Sequence, residues 1–499
     1  MSTINIQNLT FGYDAQNELL FDHVQLYLDS SWHLGLVGRN GRGKTTFLKL
    51  LQNQLDYQGS IDMPMSTQYF PQVVSDPTQL TLYVAQSISD IEQWELEREL
   101  SLLHVDLDVV WRPFAELSGG EQTKVLLALL FTNADDFALI DEPTTHLDIA
   151  GRKQVADYLK RKSGFIIISH DQGFLDQVTD HILAIDRAKI SLYQGNYSTY
   201  RDDKERQDQY EIAENGKLKK EIGRLKQTAA EKAKWFTARE GDKYGDRHVK
   251  GSGAINNTGF IGARAARVMQ KRKNLEHRMD KDIESKSQLL KNIETPAELT
   301  LNYIPDHHHN LIHLDQFTLG YTHPLFEPID LDVNRGDRVA LTGINGVGKS
   351  TLFKHLLGQA APITSGTLTQ AKVIQSLVRQ QYPDNRGALA DFATARGLDY
   401  SQFLNNLRKL GMERNAFTTP IESLSMGQQK KVELAASLSQ PANLYFWDEP
   451  LNYLDTYNQD QLVQLLNQEA PTMIFIEHDQ HFIDSVATKV VTLQPINPR

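Results

Sequence analysis

The chain has 499 residues, a net charge of −11, 40% hydrophobic and 23% charged residues, and no cysteine. That length holds two or three folded domains, and the missing cysteines exclude disulfides, cysteine-held zinc and ordinary iron–sulfur clusters. No apolar run reaches the ~18–20 residues of a spanning helix and the N-terminus lacks a signal-peptide pattern, so the expected location is the cytoplasm.

Reading from the N-terminus, the apolar run WHLGLVG leads into GRNGRGKT at Gly38–Thr45, then a helix-like stretch. Gly38, Gly41 and Gly43 let backbone N–H groups curl around a triphosphate without side-chain clash, and Asn40 lies among them. Lys44 is placed to reach the β- and γ-phosphates, Thr45 to put a hydroxyl on Mg²⁺, and Thr46 to follow it at the helix N-terminus. Tyr13, some way upstream, is a candidate for adenine stacking or for core packing, and both readings stand. Gln72 is a candidate Mg²⁺ ligand, and LSGGE opens at Leu117 with Ser118, Gly119 and Gly120. The apolar run FALID ends on Asp141, placed to hold Mg²⁺, and Glu142, placed to polarise the attacking water. GFIIISH ends on His170, which suits a γ-phosphate contact. Short apolar strands alternating with helix-like stretches predict an α/β domain with a largely parallel sheet.

Beyond Tyr200 that rhythm stops until about Thr295. Leu218, Ile222, Leu225 and Ala229 follow 4-3-4 spacing, predicting a long helix with a narrow apolar seam. A helix from about 200 to 240 would run ~60 Å. Val268, Leu275, Met279, Ile283 and Ile293 outline a second seam, and the glycines at 241, 245, 251, 253, 259 and 262 break helix between the two. The expectation is an antiparallel helical hairpin over 201–295 with its tip near 241–262. From Lys217 to Lys273 there are 16 lysines and arginines against 5 acids, in an otherwise acidic chain. That bias favours binding to a phosphate backbone, and Trp235, Phe236, Tyr244 and Phe260 offer faces for exposed bases. A solvated coiled coil of mixed charge is the plainer alternative.

The remainder repeats the beginning. Tyr321 follows Tyr13 by 308 residues, the second glycine loop starts 305 residues after the first, and LSMGQ lies 307 after LSGGE. Gln380 repeats Gln72, Asp448 and Glu449 repeat Asp141 and Glu142, and His478 repeats His170. The second nucleotide site is therefore expected to use Gly343, Asn345, Gly346, Gly348, Lys349, Ser350 and Thr351. Ser350, Gln380 and Asp448 are its candidate Mg²⁺ ligands, and Tyr321 its candidate aromatic. Domains are expected at 1–200 and 296–499, flanking the linker.

LSGGE and LIDEPTTHLD resemble the signature and Walker B regions of the ABC ATPases. The resemblance implies two ATP-hydrolysing domains docked head to tail. Ser118, Gly119 and Gly120 would close on the ATP at Lys349, and Ser425, Met426 and Gly427 on the ATP at Lys44. Met426 stands where the family has glycine, which sets the two sites apart. No membrane domain is encoded, and the missing cysteines exclude the ribosome-splitting and DNA-damage members. The run Tyr193–Tyr200 and the DEPxxxLD form of both Walker B regions resemble the ABC-F family over the whole chain. The linker with GSGAI…IGARAARVM is similar to the Lsa/Vga-type antibiotic-resistance branch. That likeness implies a monomer whose two ATPase domains pair with each other. It also implies binding at the E site of the bacterial 70S ribosome, near 23S rRNA of the peptidyl-transferase centre and P-site tRNA. Lincosamides, streptogramin A compounds and pleuromutilins would be displaced. Lys243, Tyr244, Lys250, Asn256, Asn257 and Phe260 are the candidate ribosome-contacting tip residues. A housekeeping ABC-F translation factor and, more distantly, an exporter's ATPase subunit are the alternatives.

Overall fold

The computed structural model describes residues 2–13, 19–133, 136–241, 270, 273–274, 277–278, 281, 297–321, 323–359 and 363–496. The chain divides into two compact units, Met1–Tyr200 with Pro296–Arg499, and Arg201–Thr295. The first unit contains two α/β halves of matching topology.

In the first half, β1 (Thr3–Phe11), β2 (Phe21–Asp29) and β4 (Gln58–Asp62) form an antiparallel sheet. Ile4, Ile6, Leu9 and Phe11 of β1 are buried, and the register shifts around Asn8, which has positive φ. The main sheet has the order β5-β6-β7-β3-β8-β9, from β3 (His33–Gly38), β5 (Thr67–Phe70), β6 (Phe137–Asp141), β7 (Phe165–Ile168), β8 (His181–Asp186) and β9 (Lys189–Gln194). All its pairings are parallel except β8 with β9.

A parallel strand covered on both faces is apolar throughout. Every residue of β7 is buried, and alternate residues serve opposite cores. Ile166 and Ile168 join Leu139 beneath the antiparallel sheet and the helix Lys44–Leu51. Phe165 and Ile167 join Ala138 and Ile140 against the helices Gly119–Leu130 and Ile149–Leu159.

The second half repeats this with β10 (Asn310–Gly320), β11 (Ile329–Asn334) and β13 (Ile363–Gln370) as its antiparallel sheet. Its parallel sheet has the order β14-β15-β16-β12-β17, from β12 (Arg338–Thr342), β14 (Gln375–Val378), β15 (Leu444–Asp448), β16 (Met473–Ile476) and β17 (Lys489–Thr492). In both halves the strand preceding the glycine loop lies beside the strand that ends near the histidine, with the Asp-Glu strand next. The phosphate loop, carboxylates and histidine therefore share the carboxyl edge of one sheet, where ligands bind in open α/β sheets.

The second unit contains most of the helix Tyr197–Gly241, about 68 Å long at 1.5 Å per residue. Its surface is bound by pairs one turn apart, such as Arg201 with Glu205 at 3.4 Å and Lys204 with Asp208 at 3.5 Å. Ile222 is buried, and Leu218, Leu225 and Ala229 are half-buried among mostly exposed neighbours, so the expected seam is present. Gln270, Lys273, Asn274, His277, Arg278 and Lys281 are helical and exposed. The second seam and the six candidate tip residues, Lys243, Tyr244, Lys250, Asn256, Asn257 and Phe260, lie outside the described residues.

Candidate functional site

Each glycine loop turns directly from a strand into a helix. Gly41 and Gly43, like Gly346 and Gly348, sit at positive φ, where an L side chain is strained. Lys44 is buried, and its Nζ donates to the Gly38 carbonyl at 2.7 Å and to Asn40 Oδ1 at 3.2 Å. Lys349 Nζ donates to the Gly343 and Ile344 carbonyls at 2.7 and 3.1 Å. Burial lowers both lysine pKa values, opposed by Glu142, Asp455 and Asp141 at Lys44 and by Asp148, Glu449 and Asp448 at Lys349.

Thr45 Oγ1 donates to Asp141 Oδ2 at 2.8 Å, and Tyr69 Oη donates to the same oxygen at 3.0 Å. This hydroxyl–carboxylate pair offers the hard oxygens that Mg²⁺ prefers. In the second half, Asp448 Oδ1 is buried with no hydrogen-bond partner among the described residues, an oxygen fit for a cation. Burial, then Glu449, pushes the Asp448 carboxyl up to about 6. The two candidate glutamines bond through their amide nitrogens, and Gln72 Oε1 is buried with no hydrogen-bond partner among the described residues. Gln72 Nε2 donates to the Leu126 carbonyl at 3.2 Å, and Gln380 Nε2 donates to Glu449 Oε2 at 2.9 Å.

Glu142 and Glu449 both adopt positive φ, which turns each carboxylate out of its strand, and their N–H groups donate to the carbonyls of Ile168 and Ile476. Such φ values in non-glycine residues persist only where the surroundings enforce them. The His170 N–H donates to Glu142 Oε2 at 3.3 Å, and His170 Nε2 lies 3.3 Å from Oε1. Burial, then Lys44, lowers the His170 pKa to about 3, and burial, then Lys349, does the same at His478. Both imidazoles are therefore neutral at neutral pH, and their contacts with glutamate are polar rather than ionic. Burial, then Asp141, drives the Glu142 carboxyl up to about 8, Lys44 opposing.

Tyr13, Asn40, Gly41, Gly43, Lys44, Thr45, Thr46, Asp141, Glu142 and His170 line one cavity of about 360 Å³. Tyr13 Oη lies 3.1 Å from Thr46 Oγ1, and its ring packs edge-on against Phe11. Tyr321 is 67% exposed. Ser350 is exposed and Thr351 half-buried at the start of the helix Lys349–Leu356.

The signature serines begin helices. Ser118 accepts from the Glu121 N–H, Ser425 accepts from the Gln428 N–H, and the third helical residue returns a bond to each serine N–H. Ser425, Met426 and Gly427 share a cavity of about 670 Å³ with Asn40, Gly41, Glu142 and His170 of the other half. The Asn40 N–H donates to Asp455 Oδ2 at 2.8 Å, and Asn40 Nδ2 to the Tyr453 carbonyl at 3.0 Å. Reciprocally, the Asn345 N–H donates to Asp148 Oδ2 at 3.2 Å, and Asn345 Nδ2 to the His146 carbonyl at 3.4 Å. Gly119 packs so closely on His146 that an added Cβ would lie 3.1 Å from the His146 Cβ. Each glycine loop thus meets the turn after the other half's Walker B strand. Asp148 and Asp455 also cap their own helices, accepting from the N–H groups of Gly151 and Asn458. Neither was among the sequence candidates, although LDIAG and LDTYN carry them 307 residues apart.

A family model described as ABC transporter matches residues 21–145 and 326–452. The chain is 27% identical to the ribosome protection protein VmlR of Bacillus subtilis (strain 168), over 97% of this chain and 85% of that protein. It is 25% identical to the uncharacterized ABC transporter ATP-binding protein YfmM of the same organism, over 98% of each chain. It is 27% identical to the ATP-binding protein Uup of Haemophilus influenzae, over 97% of this chain and 78% of that one. A solved structure described as RNase-L Inhibitor superposes with a TM-score of 0.63, covering 98% of this chain and 91% of that one; at 18% identity it shares the fold.

Proposed function

The chain belongs to the ABC transporter family in the tandem form of its ABC-F members and is an ATP hydrolase; from that premise we propose that it protects the bacterial ribosome from antibiotics of the peptidyl-transferase centre. Full-length similarity to a ribosome protection protein carries this reading. Support comes from the 16 lysines and arginines against 5 acids between Lys217 and Lys273. Among the described residues, no helix is long and apolar enough to cross a membrane.

ATP binds between the halves. Lys44 with Ser425, Met426 and Gly427 holds one γ-phosphate, and Lys349 with Ser118, Gly119 and Gly120 holds the other. Tyr13 offers its ring to the first adenine and Tyr321 to the second. Thr45 with Asp141, and Ser350 with Asp448, would hold Mg²⁺, which when bound neutralises phosphate charge; Gln72 and Gln380 would add their amide oxygens, since the bonds they make through Nε2 leave Oε1 to serve as the ligand. Glu142 and Glu449 each orient the attacking water, and neutral His170 and His478 contact the γ-phosphate through a ring nitrogen. Catalysis here comes from positioning and charge compensation. Bound ATP favours the closed form, which carries the linker into the E site to shift P-site tRNA and clear the drug; hydrolysis reopens the halves.

The test uses Glu142→Gln with Glu449→Gln. This variant should lose turnover by about a hundredfold or more, as expected for removal of an aligned catalytic group, and should co-sediment with 70S ribosomes only with ATP. Equal co-sedimentation without ATP sinks the mechanism. A second reading, a housekeeping translation factor, is favoured by the comparable similarity to YfmM and Uup. Expression in a susceptible host followed by growth on lincomycin, tiamulin and virginiamycin M separates the two, and no gain on any drug removes the resistance claim.

A further inference from the structure

Where the two halves of the ATPase unit meet, the repeat breaks. Arg152 occupies the place of Gln459, and Glu477 the place of Ser169. Arg152 and Gln459 share a seat: Arg152 Nε donates to the Leu147 carbonyl at 3.2 Å, and Gln459 Nε2 donates to the Leu454 carbonyl at 3.3 Å. Charge is what distinguishes them. Arg152 Nη1 also donates to Asp171 Oδ2 at 2.6 Å, with both side chains largely buried.

Asp171 follows His170, while Glu477 and Asp479 flank His478. All three carboxylates and Arg152 line the same interfacial cavity, and the helices beginning at Gln172 and Gln480 pack against each other beside it. Glu477 accepts the Leu451 N–H at 2.8 Å through one oxygen and the His478 N–H at 2.9 Å through the other. It therefore ties the turn after Glu449 to the strand end that carries His478. Lys430, in the place of Thr123, faces Glu477 from within the second half. Burial, then Asp171, pushes the Asp479 carboxyl up to about 8, and burial raises Glu477 as well; Arg152 pulls against both shifts. Without a cation, carboxylates from two halves brought into one buried space must take up protons or move apart.

We propose that Arg152 is a positioning residue that couples the two ATP sites: it holds Asp171 behind His170 in its own half and balances Glu477 and Asp479 around His478 in the other. The coupling has a direction built into it, since the place of Arg152 is taken in the second half by neutral Gln459, and the place of Glu477 is taken in the first half by neutral Ser169. The inference rests on the reading that ATP closes the two halves.

The absence of native cysteine permits a clean measurement. Ser101→Cys and Arg408→Cys, exposed positions on the matching helices Gln93–Leu102 and Tyr400–Lys409, carry a donor–acceptor pair in the Glu142→Gln, Glu449→Gln background. Energy transfer is then followed against ATP concentration. Arg152→Gln should raise the ATP needed for half-closure about tenfold, the scale of one lost charge-assisted hydrogen bond. Adding Asp479→Asn, which removes a carboxylate charge but keeps the oxygen that accepts the Phe482 N–H, should recover most of that loss, which merely structural damage would not allow, and Arg152→Lys should fall between Arg152→Gln and the parent. If Arg152→Gln does not fold, Arg152→Met gives the same readings. A half-closure point within twofold of the parent, or an Asp479→Asn addition that worsens it, overturns the assignment. A parent that shows no ATP response overturns the closure reading itself, and this proposal with it, so the two failures are told apart.

Discussion

Replacing Asp455 tests the idea that each half completes the other's phosphate loop. Asp455 is 2% exposed and does three things. It caps the helix Thr456–Glu469 through the Asn458 N–H at 2.9 Å, accepts the Asn40 N–H of the other half at 2.8 Å, and faces buried Lys431. Loss of the cap costs about 1 kcal/mol, loss of a hydrogen bond to a charged group about 1.5–3, and abandonment of a buried cation about 3–5. These overlap, because one carboxylate serves all three, so Asp455→Ala should cost about 3–5 kcal/mol in total. For halves of about 200 residues that is a fall in melting temperature of roughly 6–20 °C. Asp455→Asn keeps an acceptor for only one of the two N–H groups, because they bond different carboxylate oxygens, and it loses the charge while keeping the shape, so it should fall between. Burial pushes the Asp455 carboxyl up, but Lys431 and then the N–H groups of Asn40 and Asn458 hold it below its usual range. A depressed carboxyl stabilises above its unfolded pKa and loses that contribution as pH falls through the folded one. The gap between the parent and Asp455→Asn should therefore be full at pH 7 and close on acidification below about 4. An alanine variant that melts within 2 °C of the parent would refute this account.

Other expectations follow from single sites. Glu99, 2% exposed, receives bonds from Tyr158 Oη at 2.6 Å and from Lys162 and Arg98; Glu99→Ala should cost about 3–5 kcal/mol by orphaning Lys162, read from the denaturant midpoint. Burial raises the Glu99 pKa, but Lys162 and Tyr158 outweigh it and leave it lowered, so its stabilisation too is present at neutral pH and lost in acid. Gly119→Met should lower turnover about tenfold or more, because its Cβ meets His146 at 3.1 Å. Met426→Gly, at a residue 49% exposed in the cavity, should fold normally and alter turnover by less than about threefold; steady-state ATPase assays compare the two. Tyr13→Ala should raise KM for ATP about tenfold if the ring stacks on adenine, whereas Tyr13→Phe, which loses the 3.1 Å contact with Thr46, should stay within about twofold. An unchanged KM for the alanine variant returns Tyr13 to a packing role.

The tandem α/β fold was legible because its signals are local. A glycine loop between an apolar run and a helix needs only a few residues to declare itself, and Asp141 and His170 advertise their place, the first by ending its strand and the second by lying two residues beyond one. Duplication then supplied each motif twice. The helix seam at Leu218, Ile222, Leu225 and Ala229 was legible for the same reason, since helical period lies in neighbouring residues.

Other features depend on burial and on residues far apart in sequence. Gln72 and Gln380 occupy matching positions, yet one bonds the Leu126 carbonyl and the other Glu449; the choice depends on what each half packs beside its strand. The histidines are neutral because they are buried beside lysines, a fact of solvation that no motif encodes. The sequence alone determined two copies of the phosphate-binding machinery, whose geometry is set by strand, loop and helix within one stretch of chain. Only the tertiary structure decided that Asn40 finds Asp455 and that Arg152 faces Glu477, because those pairs, more than 300 residues apart, exist only where two buried surfaces meet.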